Sequence, residues 1–145
     1  MVGLLKFAQV PSAEIGPEAS VLGAVGVMAK ARVGAVAVTD RAELRGIFTE
    51  RDLMLRVVEQ RRDPAATKVR EVMTSPVATA SDKTTFSEAL NLMLDRHLRH
   101  LPILGSDGQL LGMLSIRDLL QDRVEQLSRE LDSMDQYLLN DGPGG

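Results

Sequence analysis

The sequence contains no cysteine and no tryptophan, and it has one tyrosine, three phenylalanines and two histidines among its 145 residues. The absence of cysteine excludes disulfides, thiolate metal ligands and a cysteine nucleophile. Two histidines leave little material for a histidine-rich site, so we expect no metal. Hydrophobic residues make up 44% of the chain, which is enough for a packed core, and that core must be aliphatic.

Positive charge and long apolar runs are also scarce. The formal net charge is −3, which argues against a general nucleic-acid binder, because such a protein needs a positive surface. No apolar run approaches the roughly 18–20 residues that a membrane span requires. The start of the chain lacks the hydrophobic region and cleavage site of a signal peptide. We therefore expect a cytoplasmic protein that binds neither nucleic acid nor membrane.

One stretch of the sequence occurs nearly twice. GIFTERD at 46–52 returns 66 residues later as GMLSIRD at 112–118. Upstream of this motif the two halves align at an offset of 65, which places Met28 on Met93, and one residue is inserted in the intervening turn. Repeats of this length are supersecondary units that bury their apolar faces against each other.

Each repeat has the same predicted order, β-α-β-β-α. Helical apolar spacing and short apolar runs bounded by turn residues distinguish its helices from its strands. The predicted strands of the two repeats are 34–39, 44–49, 77–81, 100–104 and 109–115. The predicted helices are 17–32, 51–60, 81–97 and a last one that begins with 117–124. The predicted divisions of the chain are a first repeat at 3–62, a linker at 63–70, a second repeat at 71–125, a C-terminal helical extension at 126–140 and a disordered tail at 141–145.

The C-terminal extension carries an apolar heptad pattern. Its apolar residues recur at alternating intervals of four and three, which is the spacing of a coiled-coil seam. Such a helix either folds back on its own domain or pairs with another chain, and we expect a homodimer. The residues of this seam are Leu120, Val124, Leu127, Leu131, Met134 and Leu138.

These motifs together resemble a known family. VREVMTSPVATAS, the HLPIL run with its turn, and the repeated G-x-x-[TS]-x-R-D are similar to marks of the cystathionine-beta-synthase (CBS) domain, here as a standalone tandem pair of the bacterial or archaeal type. The resemblance covers roughly residues 3–125. It implies a mixed α/β (α+β) fold, in which two β-α-β-β-α repeats pack sheet to sheet around a pseudo-twofold axis, with a long C-terminal helix added.

The resemblance also implies a function. Members of this family bind the adenosyl part of a nucleotide in clefts between the repeats, and they regulate other proteins without chemistry of their own. The candidate ligands are AMP, ADP and ATP, followed by NAD(H) and S-adenosylmethionine, and no cofactor is required. The alternative is a structural or dimerisation module whose clefts stay empty. The sequence contains no recognisable nucleophile–base pair and no P-loop, so we do not expect an enzyme.

Thr49 and Asp52, and their counterparts Ser115 and Asp118, allow two interpretations. Thr-x-x-Asp at a strand-to-helix junction is a helix cap, with the hydroxyl and the carboxylate both bonded to backbone N–H groups. A carboxylate at a helix start can also accept both hydroxyls of a ribose, as acidic residues do in dinucleotide folds. The resemblance favours ribose binding at both aspartates, and the two roles are compatible.

Arg99 and His100 are candidate phosphate ligands, because a guanidinium fork and an imidazole both donate to phosphate oxygens. A solvated turn is the alternative. The corresponding residues of the first repeat are Gly34 and Ala35, so the two clefts should differ. Glu14 replaces a threonine at the start of the first repeat, and its charge should weaken the cleft that this segment lines.

The walls of the cleft are predicted to be apolar. In the family, the adenine lies between apolar side chains and bonds to backbone groups, which leaves no side-chain signature. The same residues could equally be core. These predicted wall residues are Met73, Val77, Ala78 and Leu98.

Overall fold

The computed structural model describes residues 3–140, and the predicted disordered tail at 141–145 lies outside the described residues. Two similar units follow one another, and each contains a three-stranded sheet in the order of its strands along the chain. The first unit contains β1 (Glu14–Ile15), α1 (Val21–Ala31), β2 (Ala35–Asp40), β3 (Glu43–Thr49) and a helix α2 that begins as Glu50–Asp52 and continues as π-helix over Leu53–Val58. The second unit contains α3 (Val69–Val72), β4 (Ala80–Ser81), α4 (Phe86–Asp95), β5 (His100–Leu104), β6 (Leu110–Ser115) and α5 (Ile116–Asn140).

The two sheets pack face to face, as the family resemblance implies. In each sheet the short first strand is parallel to the second strand, which is antiparallel to the third. Along β2, Val36 and Val38 point to the helices of the first unit. Ala35 and Ala37 point the other way, toward Met113 on β6 of the second sheet. Both faces of β2 are therefore buried, which explains its continuous apolar run.

Each unit is completed by the segment that begins the other unit. Leu4, in a 3-10 helix at Gly3–Phe7, is buried in the core of the second unit. Val69 and Val72 of α3 are buried in the core of the first unit. This exchange ties the two units together through packed side chains as well as through the linker.

The same exchange extends to the backbone. Gln9 exchanges two hydrogen bonds with Met113 of β6, at 2.9 and 3.1 Å. Thr74 exchanges two with Ile47 of β3, at 2.8 and 3.0 Å. Gln9 and Thr74 are 65 residues apart, and their partners are 66 residues apart, so the repeat offset reappears in space.

Two helices begin later in the chain than the sequence predicts, because each starts directly after the residue that caps it. The first helix was predicted from residue 17, but Ser20 caps it by accepting from the N–H of Gly23 at 3.0 Å, so that α1 begins at Val21. In the second unit Thr85 and Glu88 form a capping box, and α4 begins at Phe86. Both cases follow the preference of hydroxyl side chains for the N-cap position.

α5 is one continuous helix of 25 residues. Leu119 in its first turns is buried in the second unit, whereas every residue described from Val124 to Leu139 is exposed. The prediction of a long C-terminal helix is confirmed. Its apolar seam does not fold back on its own domain, so that alternative is wrong. Among residues 3–140, none of the helices has the length and apolar character that would let it cross a bilayer.

Candidate functional site

A cleft of about 640 Å³ lies between the two units. Its walls come from the end of α1, the starts of β2 and α2, the starts of β5 and α5, and the N-terminal segment. Four of the residues predicted from the sequence to bind a ligand line this cleft. They are Arg99, His100, Ser115 and Asp118.

Ser115 and Asp118 stand where β6 ends and α5 begins. Asp118 is exposed and Ser115 half-buried. Among the described residues, neither side chain has a hydrogen-bond partner within the protein, so the predicted capping box is absent here. Asp118 therefore presents a carboxylate with about four acceptor sites to the cleft, near the positive end of a long helix.

Arg99 and His100 are held beside this carboxylate by the sheet. His100 pairs with Ser115 across β5 and β6, and the carbonyl of Arg99 accepts from the N–H of Ile116 at 2.9 Å. Burial lowers the pKa of His100 below its ordinary value of 6.5; the charges of Glu50 and Asp118 oppose this shift, and that of Arg99 adds to it. The imidazole is therefore mostly neutral at pH 7 and can donate to an anion from one nitrogen.

The first unit contributes the opposite wall. A Cβ built on Gly34 would lie 2.9 Å from Oε1 of Glu50 and 3.2 Å from Cε1 of His100. The bare α-carbon of Gly34 thus leaves the space in which Glu50 of one unit and His100 of the other approach each other. Arg32, which ends α1 in a left-handed conformation with φ of 56°, also lines this wall.

The second predicted aspartate has a different environment. Asp52 is only 6% exposed. Its Oδ2 accepts from the N–H of Thr49 at 3.0 Å, and Thr49 Oγ1 accepts from the N–H of Asp52 at 3.1 Å, which completes a capping box. Its Oδ1 accepts from Thr74 Oγ1 at 2.9 Å and lies 3.6 Å from Nε of Arg56. Both carboxylate oxygens already have partners in the protein, and neither Thr49 nor Asp52 lines the cleft described above.

The difference between the two aspartates arises from two positions in the repeat. Thr74, which bonds Asp52, is replaced at the repeat offset by Gln9, whose side chain instead accepts from the N–H of Ala13 at 3.2 Å. Arg56 is replaced by Asp122. The carboxylate of Asp118 therefore lacks both the hydroxyl and the cation that contact Asp52.

The predicted wall residues lie apart from this cleft. Met73 packs against the core of the first unit, and Ala78 and Leu98 pack against that of the second. Val77 packs between the sheets and lines a second, more open depression near the two hairpin turns. Arg45, in that depression, is within 4.0 Å of Asp40 and 3.5 Å of Glu43, so its charge is already paired.

The predicted effect of Glu14 is not supported by its position. The segment at the start of the first unit does line the cleft, through Gln9. Glu14, however, lies on β1, where its carboxylate accepts from the hydroxyl of Thr39 at 2.9 Å, and it is not among the residues that line the cleft. The cleft that was predicted to be weakened is the one that contains Asp118.

Among the cleft residues that were not predicted, Gln9, Arg32 and Glu50 have polar or charged side chains. Gln9 could have been found from the sequence, because the repeat offset aligns it with Thr74. Glu50 and Arg32 give no comparable signal, because their place in the cleft depends on how the two units meet at Gly34.

Comparison with known proteins agrees with the duplicated architecture. The family model described as CBS domain matches the chain twice, at residues 10–59 and 69–125. The CBS domain-containing protein YhcV of Bacillus subtilis is 32% identical over 118 residues, which are 81% of each chain. The protein MK0525 of Methanopyrus kandleri is 40% identical over 86 residues, which are 59% of this chain and 44% of that one. The chain thus spans less than half the length of MK0525.

Solved structures share the fold. The CBS domain protein PAE2072 from Pyrobaculum aerophilum, solved in complex with AMP, superposes with a TM-score of 0.78. The two sequences are 28% identical, and the match covers 88% of this chain and 97% of that one.

Proposed function

Because the chain belongs to the CBS domain family, whose members are generally regulatory rather than catalytic, we propose that it is a sensor of adenosyl nucleotides. The cleft at Asp118 is the proposed binding site, and AMP is the first candidate ligand. ADP and ATP follow, with NAD(H) and S-adenosylmethionine as weaker candidates. The AMP complex of PAE2072 supports this class of ligand.

The observation that carries the proposal is the free carboxylate of Asp118 beside Arg99 and His100. A carboxylate without partners can accept both hydroxyls of a ribose. The guanidinium of Arg99 offers a fork to phosphate oxygens, and the imidazole adds one donor. The two halves of a nucleoside phosphate thus find complementary groups within one cleft.

The cleft also suggests how binding is transmitted. Its walls come from both units, so a ligand that contacts both favours one relative placement of the units over others. Such a ligand shifts the conformation only by its difference in affinity for the two arrangements. We propose that a separate effector protein in the cytoplasm reads this change. A module with empty clefts and a purely structural role is the alternative.

Thermal unfolding with and without nucleotide tests the binding proposal. At a concentration one hundred times the dissociation constant, a ligand stabilises by about 2.7 kcal/mol, which raises the melting temperature by about 5–10 °C for a chain of this size. We expect AMP to give this shift and Asp118→Ala to abolish it. Asp132→Ala, which removes the same charge from the exposed part of α5, should retain the shift. No shift with any adenosyl compound would support the structural alternative.

We propose in addition that a second copy of the chain covers the seam of α5. The six seam residues are 40–64% exposed, so a second copy that covered them would remove apolar surface from water. Met54 and Val58 of the first unit, which correspond at the repeat offset to Leu120 and Val124, are also exposed, at 57% and 64%. A patch repeated in both units suits the self-complementary interface of a twofold dimer.

The charges that flank the seam favour antiparallel pairing. In a parallel coiled coil, Glu130 would face Asp135 of the second copy on both sides, and like charges repel. In the antiparallel alignment that covers all six seam residues, Gln121 faces Asp135, and the one like-charge contact beside the seam is between Glu130 and its copy. We therefore propose an antiparallel homodimer of α5 helices.

A further inference from the structure

Glu50 places an acidic group in the cleft on the wall opposite Asp118. It is the first residue of α2 and is exposed. Its Oε1 and the Cε1 atom of His100 approach the same point above Gly34, at 2.9 and 3.2 Å from the position of a built Cβ. The repeat offset aligns Glu50 with Ile116, so the acid has no counterpart in the second unit and does not follow from the shared fold.

The ionised groups of the cleft divide into two sets. Arg32, Arg99 and Arg117 are cations, and Glu50 and Asp118 are anions. In the proposed binding mode Asp118 accepts hydrogen bonds from the ribose hydroxyls, while Arg99 and His100 donate hydrogen bonds to the phosphate. Glu50 is then the acid on the phosphate side of the ligand. None of the ion pairs formed among residues 3–140 involves Glu50, so no cation in direct contact masks its charge.

We infer that Glu50 limits the charge of the ligand and makes the cleft selective for a nucleoside monophosphate over the diphosphate and triphosphate. This inference rests on the proposed nucleotide site. Each phosphate beyond the first adds about one negative charge near His100, where the carboxylate of Glu50 repels it. Across a partly solvated cleft, a like charge at several ångströms weakens binding by about threefold to tenfold.

The test is isothermal titration with adenosine, AMP, ADP and ATP in buffer without divalent cations, for the natural chain and for Glu50→Gln. Gln keeps the size and polarity of the side chain and removes only the charge. We expect Glu50→Gln to leave adenosine affinity unchanged within about twofold, and to increase affinity by a further threefold to tenfold with each added phosphate. Glu59→Gln, which removes an exposed acid of the first unit outside the cleft, should not change the order of affinities.

The other possible results of this titration each contradict the inference about Glu50 in a distinguishable way. An equal gain for adenosine and ATP would overturn the inference, because the effect would not depend on phosphate charge. A loss of affinity for all four compounds would also overturn it and would make Glu50 a direct ligand. If the natural chain binds none of them, the proposed function fails and this inference fails with it, whereas AMP binding without a change of selectivity in Glu50→Gln refutes the inference alone.

Discussion

Gly46 and Gly112, the glycines of the repeated motif, are explained by packing between the units. A Cβ on Gly46 would lie 2.7 Å from the carbonyl oxygen of Thr74, and one on Gly112 would lie 2.9 Å from that of Gln9. These two carbonyls belong to the segments that the units exchange. Each glycine therefore lets a strand of one unit lie directly under the segment that begins the other.

Gly46→Ala should destabilise the protein by about 1–3 kcal/mol, because the added methyl meets backbone atoms that cannot rotate away. Gly26→Ala is the matched control: its Cβ would meet nothing within 4 Å, and alanine in a helix is favoured over glycine by up to about 1 kcal/mol. Urea denaturation of both variants checks the pair. Equal effects of the same sign would contradict the packing role of Gly46.

The side chains of the motif show how far the sequence predicts a site. Thr49 and Asp52 form the cap that the spacing predicts. Ser115 and Asp118 have the same spacing and form no such cap within the described chain. Thr74 reaches Asp52 from a distant part of the sequence, whereas Gln9, at the same repeat position, accepts from Ala13 and does not bond Asp118. Local spacing carries no information about either contact.

At the scale of elements, the longer strands and helices were predicted, whereas the two-residue strand β1 and the short helix α3 were not. Helical periodicity and apolar runs locate α1, α4, β5 and β6 to within a few residues. α3 has only four residues, too few for a periodic pattern, and the interior position of Val69 and Val72 in the first unit stabilises it. Its existence depends on the exchange between the units.

The exposed seam of α5 is the proposed dimer contact, and substitutions in it test that proposal. Replacing Leu127 and Leu131 together with glutamate should convert a dimer to a monomer and raise the dissociation constant by at least about 100-fold, since four buried leucines per dimer are lost and each contributes about 1.5–3 kcal/mol. Light scattering coupled to size exclusion measures the change. Glutamate at Ser133 and Gln136, outside the seam, adds the same charge and should leave the dimer intact.

Cysteine cross-linking then tests the orientation of the pair, because the chain has no natural cysteine. In the antiparallel alignment Leu127 of one copy faces Leu131 of the other. A mixture of Leu127→Cys and Leu131→Cys chains should form a disulfide between the two variants, whereas each variant alone should not. Rapid formation of a disulfide-linked dimer by either variant alone would indicate parallel helices. A natural chain that is monomeric at about 100 µM would refute the dimer itself.

At the scale of the whole molecule, duplication has produced two units with one fold and two unequal aspartates. Asp52 is buried, capped and paired with Arg56, whereas Asp118 is exposed at the cleft. A carboxylate that is bonded on both oxygens stabilises the protein itself, and ligand binding there would have to displace those bonds. We therefore propose a structural role for Asp52 and ligand binding for Asp118.

The stoichiometry of AMP binding tests this central claim most directly. Isothermal titration of the natural chain should give one AMP per chain, and Asp118→Asn should reduce the affinity by at least about 30-fold, because the neutral amide loses charge-assisted bonds of about 1.5–3 kcal/mol to the ribose hydroxyls. Two equivalent AMP molecules per chain, or one that binds Asp118→Asn as tightly as the natural chain, would contradict the assignment of the open cleft as the nucleotide site.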